Sequence, residues 1–204
     1  HPHGIQLGTL QRMLRESADR RMTSFLKHNF SGVSPRAAKE ILGMADVEEG
    51  RTPKRIKPEE AKAMITAFQT VKLLKPPMDC LSPIEDLLIK KGLSKAIDSR
   101  FASTVTRSPT VSQGNPFQIE VGLVFGGDLA SEGPIEILRF ANRVPLMYQQ
   151  GGCLLTKALE AVNWKNYGLE QPGGSGIPKG PAAVLVHLAS TNVQFTSEAK
   201  EAVS

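Results

Sequence analysis

Apolar positions recur along the first part of the chain with a helical period. Leu7, Leu10 and Leu14 fall at i, i+3 and i+7, which predicts an amphipathic helix, and a short helical stretch follows around residues 24–30. Ser34 before Pro35 reads as an N-cap with proline at the first helical position, opening a helix that turns Ala38, Ile41 and Leu42 inward. Pro58-Glu59-Glu60 opens another, with acidic residues at its positive end and Ala61, Met64, Ile65, Phe68 and Val71 as its inner face. Lys75-Pro76-Pro77 ends this helical half and predicts a boundary between domains 1–77 and 78–204.

The rhythm then changes. Ser82-Pro83 predicts the cap of a short helix over 83–91. Phe117, Ile119, Val121, Leu123 and Phe125 alternate with Gln118, Glu120, Gly122 and Val124, a strand expected to bury its apolar face. Gly126-Gly127-Asp128 predicts a turn, and residues 135–141 a neighbouring strand. Gly151-Gly152 leads into a helix over 154–162 with Leu155, Leu159 and Val162 on one side; a Gly/Pro-rich loop (168–181) then delivers an apolar strand over 182–188. Strand, helix and parallel strand imply a right-handed crossover, so the second part is expected to be a ββαβ sheet covered by helices. The fold class expected for the whole chain is α+β.

Composition narrows the function classes. With 40% hydrophobic and 22% charged residues, the 204-residue chain has the make-up of a globular protein. No run of apolar residues reaches membrane-spanning length, and residues 1–14 lack the apolar core of a signal peptide. Two cysteines, Cys80 and Cys153, are too few for a disulfide framework or a zinc site, which points to a reducing compartment. The net charge of +5 is uneven: residues 1–77 hold 14 Lys/Arg against 8 Asp/Glu, while residues 78–204 hold 11 against 12. An acidic partner, with nucleic acid foremost, suits the first part. Arg51, Lys54, Arg55 and Lys57, four cations within seven residues, are the candidate DNA-backbone contacts. Gly173-Gly174-Ser175-Gly176 lacks the Gly-x-x-x-x-Gly-Lys-Ser/Thr pattern of a phosphate loop. The four histidines show no pairing that suggests a metal site, and no Ser-His-Asp or Cys-His set is apparent.

Three segments carry a family resemblance: LRFANRVPLMY (138–148), NWKNYGLEQPGG (163–174) and VHLASTNVQFTSEAKEA (187–203). Together they resemble the transducer domain of the B subunit of DNA topoisomerase VI, a type IIB topoisomerase of the GHKL ATPase superfamily known from archaea and plants. The stretch 140–159 is also similar to the corresponding gyrase segment. GVSPRAAKEILGMADV (32–47) resembles the helix-two-turns-helix element of formamidopyrimidine DNA glycosylases and of a ribosomal protein. It departs from that element at Ser34 and at Pro35, which has no N–H to offer a phosphate. The resemblance therefore implies an all-helical helix-two-turns-helix domain followed by an α/β sandwich transducer with a ribosomal-protein-like crossover.

The same resemblance implies a role for Lys200. In GHKL enzymes a transducer loop at this point reaches into the ATPase domain, where one lysine contacts the γ-phosphate. Gyrase carries Gln-Thr-Lys there, and this chain has Glu198-Ala199-Lys200, expected at the start of a long helix. A compact, mobile cation suits the task of neutralising a terminal phosphate and registering its loss. The parent enzyme would use ATP and Mg²⁺, pair with a second B subunit through the ATPase domain, and join the A subunit in a heterotetramer that passes duplex DNA through a double-strand break. The first residue is not Met, so the chain reads as a fragment, with its nucleotide pocket expected upstream of His1. It is expected to bind no cofactor and to show no activity alone. The implied location is the cytoplasm, on the nucleoid, or the nucleus in a eukaryote. Two rival readings are a nucleic-acid-binding structural module without ATPase coupling and a meiotic B-like scaffold.

Overall fold

The computed structural model describes residues 1–204, which divide into two compact units. The helical unit comprises His1–Pro77 together with the hairpin segment Val111–Pro116; the sheet unit comprises Met78–Thr110 and Phe117–Ser204.

Four helices build the helical unit: α1 (Leu7–Glu16), α2 (Met22–Asn29), α3 (Pro35–Met44) and α4 (Pro58–Thr70). They pack around one core in which Leu10, Phe25, Leu26, Ile41, Leu42, Met64 and Phe68 are wholly buried. The Ser34 hydroxyl accepts the Ala37 N–H at 3.1 Å and caps α3 as its sequence suggests. Gly32, ahead of that cap, has φ +78°, and a Cβ there would lie 2.4 Å from the Leu74 carbonyl, so only glycine fits.

In the sheet unit, α5 (Asp86–Ala96) precedes β1 (Phe101–Thr106), β2 (Thr110–Ser112), β3 (Asn115–Phe125), β4 (Glu136–Ala141) and β5 (Val144–Pro145); α6 (Leu154–Glu160) and β6 (Ala182–Ser190) complete it. The strands form one mixed sheet in the order β1-β3-β6-β4-β5, with β2 paired to β3. β6 is antiparallel to β3 and parallel to β4, with α6 on the connection between the parallel pair. One sheet face packs Val124, Ala183 and Leu185 against Ile89 and Leu93 of α5. The other packs Val184 and Val186 against Leu155, Leu159 and Trp164. No helix is long and apolar enough to cross a membrane.

Four expectations are corrected. The helix expected over 83–91 begins at Asp86 and runs to Ala96, because the Ile84 and Glu85 amides are drawn to the Glu120 carboxylate instead of to Ser82. Residues 135–141 do not pair with 117–125; β6 lies between them, since the parallel crossover inserts the last strand into the middle of the sheet. The faces of β3 are reversed in depth. Gln118, Glu120 and Val124 are buried while Ile119, Val121 and Leu123 are half-buried, because α5 lies directly on the polar face. Finally, no helix starts at Lys200. Phe195 and Val203 bridge as a narrow antiparallel pair and fold the segment back on itself.

Candidate functional site

After β6 the chain forms a closed loop. The Thr196 N–H donates to the Ala202 carbonyl at 2.9 Å and the Ser204 N–H to that of Gln194 at 3.0 Å. Ala202 and Val203 are buried in the core shared with Leu155 and Trp164, so the base of the loop is fixed by packing. Lys200 lies toward its tip. It is exposed, makes no ion pair, and has φ +54°, a left-handed conformation that is unfavourable for a residue with a side chain. Its N–H donates to the Ser197 carbonyl at 3.1 Å, closing the turn that holds it there. The arrangement presents one free ammonium group on a short, strained loop.

The basic segment in the helical unit does not behave as four equal cations. Arg51 forms an ion pair with Glu60 and donates to the Arg55 carbonyl at 2.8 Å, so its charge is committed internally. The Lys57 N–H, followed by the Arg51 guanidinium against an opposing effect of burial, holds the Glu60 carboxyl below its ordinary range. Lys54, Arg55 and Lys57 are exposed and make no ion pair. Lys54, Lys57 and Arg15 of α1 rim a cleft of about 180 Å³ floored by Leu14, Ile56 and Ala61. Arg15 thus joins a patch that sequence spacing assigned to residues 51–57 alone.

A polar cluster that sequence reasoning missed lies inside the sheet unit. Glu120 on β3 and His187 on β6 are register partners, both fully buried, with Nδ1 2.6 Å from Oε2. The same carboxylate accepts the Ile84 and Glu85 N–H groups and the Thr106 hydroxyl, each at 2.7 Å. The Arg143 N–H donates to His187 Nε2 at 3.0 Å, which leaves Nδ1 as the ring's donor to Glu120. Burial alone would raise the Glu120 carboxyl, but the bonds from Thr106, His187, Ile84 and Glu85 outweigh it and hold the group below its ordinary value. Every polar atom is satisfied within the protein, so the cluster locks the sheet together. Its signal in the sequence was a single histidine within an apolar strand and a single glutamate alternating with apolar residues.

The Gly-rich loop is likewise built around an internal partner. The buried Gln171 donates to the carbonyls of Glu160, Val162 and Gly176 and accepts the Trp164 N–H. No three His, Cys, Asp or Glu side chains come together in a group that could hold a metal ion.

Comparison with known proteins agrees with the sequence resemblance. The family described as "Topoisomerase VI B subunit, transducer" matches residues 76–204. The B subunit of type 2 DNA topoisomerase 6 from Methanococcoides burtonii is 50% identical over the whole chain, which covers 33% of that protein. The protein of the same name from Archaeoglobus fulgidus is 46% identical over the whole chain and 34% of its own length. The chain thus spans about a third of the curated relatives it matches in full. A gyrase B subunit from Myxococcus xanthus aligns in structure over 50% of this chain and 28% of its own, at 19% identity and a TM-score of 0.31, too slight a likeness to support a comparison of sites.

Proposed function

Because the chain belongs to the topoisomerase VI B subunit family and contains its transducer, we propose that it is the relay segment of a type II DNA topoisomerase, passing the state of ATP to strand passage by a separate A subunit. ATP and Mg²⁺ are bound by the part of the B subunit outside this chain, and Lys200 meets the γ-phosphate. The observation that carries this reading is the Lys200 loop: an unpaired ammonium held in a left-handed conformation above a buried base. A strained, exposed cation on a fixed support suits a contact completed by another body.

Further parts of the reading follow from the family. The helical unit has the helix-two-turns-helix arrangement. The crossover from β4 through α6 to β6 is right-handed. The full-length protein pairs with a second copy through the ATPase domains, assembles with two A subunits, and works on chromosomal DNA in the cytoplasm or, in a eukaryote, the nucleus. Lys54, Arg55 and Lys57, with Arg15 beside them, touch duplex backbone through charge alone, because the patch offers no rigid donor set for base edges.

In the full-length protein assembled with its A partner, Lys200→Ala is expected to slow ATP turnover at least about tenfold, as loss of a charged hydrogen bond made in the transition state would. Arginine is expected to rescue only in part, because its planar fork suits a point-charge site poorly. Unchanged ATPase and relaxation rates would assign the contact elsewhere. Separately, neutralising Lys54, Arg55 and Lys57 together is expected to weaken duplex binding and flatten its salt dependence; an unchanged salt slope would remove the patch from the DNA-binding surface.

A further inference from the structure

We propose that Met147 and Tyr148 form a docking surface for the ATP-binding part of the same B subunit, seated when Lys200 meets the nucleotide. The identity of that partner rests on the reading of Lys200 given above; the surface itself stands on the geometry of residues 139–154.

Met147 and Tyr148 are 74% and 68% exposed, and Leu154, where α6 begins, is 51% exposed. Single apolar side chains at a surface need no explanation, but this pair is held there by a buried charge. Arg139 is buried on β4, and its Nη2 donates to the Leu146 carbonyl at 3.0 Å and to the Tyr148 carbonyl at 2.8 Å. Two charge-assisted bonds therefore fix the backbone on both sides of Met147. The Leu146 N–H donates in return to the Arg139 carbonyl at 2.8 Å. Leu146 turns into the core, and the next two side chains are left in solvent. A loop fixed in this way has given up its freedom before a partner arrives, which lowers the cost of association.

The same loop is joined to the one that carries Lys200. The firm link is the Leu154 N–H, which donates to the Val203 carbonyl at 2.7 Å. A looser one is the Thr196 hydroxyl, 3.4 Å from Gln149 Oε1. These links lie on either side of Lys200 in the sequence, so the apolar pair and the ammonium group are presented together.

The chemistry of the surface selects its occupant. Residues 144–156 hold no charged side chain. Duplex backbone is held by cations and has nothing to bind there. Depletion of charge with Met and Tyr in its place is the composition found at the centre of protein–protein interfaces, and tyrosine is a frequent anchor. Among protein partners, the links to the Lys200 loop favour the body that brings the nucleotide, because presenting a γ-phosphate to Lys200 brings it against the neighbouring loop. The chain spans about a third of its curated relatives, so the rest of the subunit has the length to supply that body.

The test uses the full-length B subunit assembled with its A partner. Hydrogen peroxide is expected to oxidise Met147 at least about fivefold more slowly once a non-hydrolysable ATP analogue is added, since sulfoxide formation follows exposure. Met44, exposed on α3, is expected to keep its rate. Equal oxidation of Met147 with and without the analogue would overturn the surface. A p-benzoylphenylalanine placed at Met147 is expected to cross-link, with the analogue bound, to the ATP-binding part of its own chain. Capture of the A subunit, of duplex DNA, or of a second B subunit in a mixture of isotope-labelled and unlabelled chains would overturn that partner. Tyr148→Ser changes only an exposed side chain and reads the docking energy. KM for ATP is expected to rise about tenfold with kcat changed less than about twofold, the reverse of the kcat effect expected for Lys200→Ala. An unchanged KM would also overturn the proposal. Should Lys200→Ala prove silent while Met147 is still protected and cross-linked, the γ-phosphate reading fails and the docking surface stands. If Lys200→Ala slows turnover and Met147 stays reactive, the docking surface falls alone.

Discussion

The helical and sheet units are held together by different physics. Every buried polar or charged side chain, namely Gln118, Glu120, Arg139, Thr156, Gln171, His187 and Ser190, lies in the sheet unit. The core of the helical unit is wholly apolar. An apolar core is specified by volume and periodicity, and it tolerates repacking. A core containing Glu120 and His187 is specified by pairing: a slip of one residue between β3 and β6 would part the two and leave charge in the interior. The sheet unit is thus fixed in register more strictly, and is more exposed to a single polar loss.

The largest expected effect follows from removing that pairing. Glu120→Ala deprives His187 Nδ1, the Thr106 hydroxyl and two backbone N–H groups of their acceptor at once. Each buried donor left without an acceptor typically costs about 1–3 kcal/mol. Trp164, the sole tryptophan, lies in the sheet unit, so urea unfolding followed by its fluorescence reads that loss directly. A midpoint within error of the parent's would show that the cluster does not stabilise the sheet.

Acid sharpens the same contrast. The Glu120 carboxyl is held below its ordinary value of 4.5, so its contribution is complete above that value and is lost as the pH falls through the lower, folded-state value. The Trp164 midpoint is expected to drop across that window in the parent and to lose most of its acid slope in Glu120→Gln. An acid slope equal in both would place the titrating group elsewhere.

The contrast also governs what could be read from the sequence. Ser34-Pro35 announced α3 correctly because a cap acts on its own next turn, and the Ser34–Ala37 bond is local. Ser82-Pro83 looked equivalent and failed, since the acceptor that sets the start of α5 is Glu120, 35 residues from Glu85. Alternation in β3 marked two faces correctly, but period alone does not say which face a helix will cover. The left-handed backbone of Lys200 was not legible: the apolar pair Ala202-Val203, which closes the loop against Cys153 and Leu154, read as the continuation of a helix.

A smaller effect, of opposite sign to its counterpart in the helical unit, is expected from adding one methyl group to the sheet. A Cβ on Gly122 would lie 2.5 Å from Leu93 Cδ1 and 2.7 Å from Ile89 Cγ2, inside the packing of α5 on β3. Both contacts are side-chain methyls, but Ile89 and Leu93 are buried and have little room to yield. Gly122→Ala is therefore expected to destabilise by about 1–3 kcal/mol, the usual cost of overpacking. A neutral result would show that α5 rides loosely on the sheet.

The smallest effect comes from the same change in the helical unit. Gly43 lies in the last turn of α3, exposed, with nothing within 4 Å of where its Cβ would be, and it has no left-handed φ. Alanine there costs no packing and removes the conformational freedom that glycine gives the unfolded chain. The gain for a helix interior is about 0.5–1 kcal/mol, and the position near the C-terminus puts Gly43→Ala at the lower end. Hydrogen exchange of the α3 amides, such as Ile41 and Leu42, is expected to slow slightly while that of β3 and β6 does not change. If β3 and β6 slowed as well, the two units would be unfolding as one, and the separation of an apolar core from a polar-paired one would lose its thermodynamic meaning.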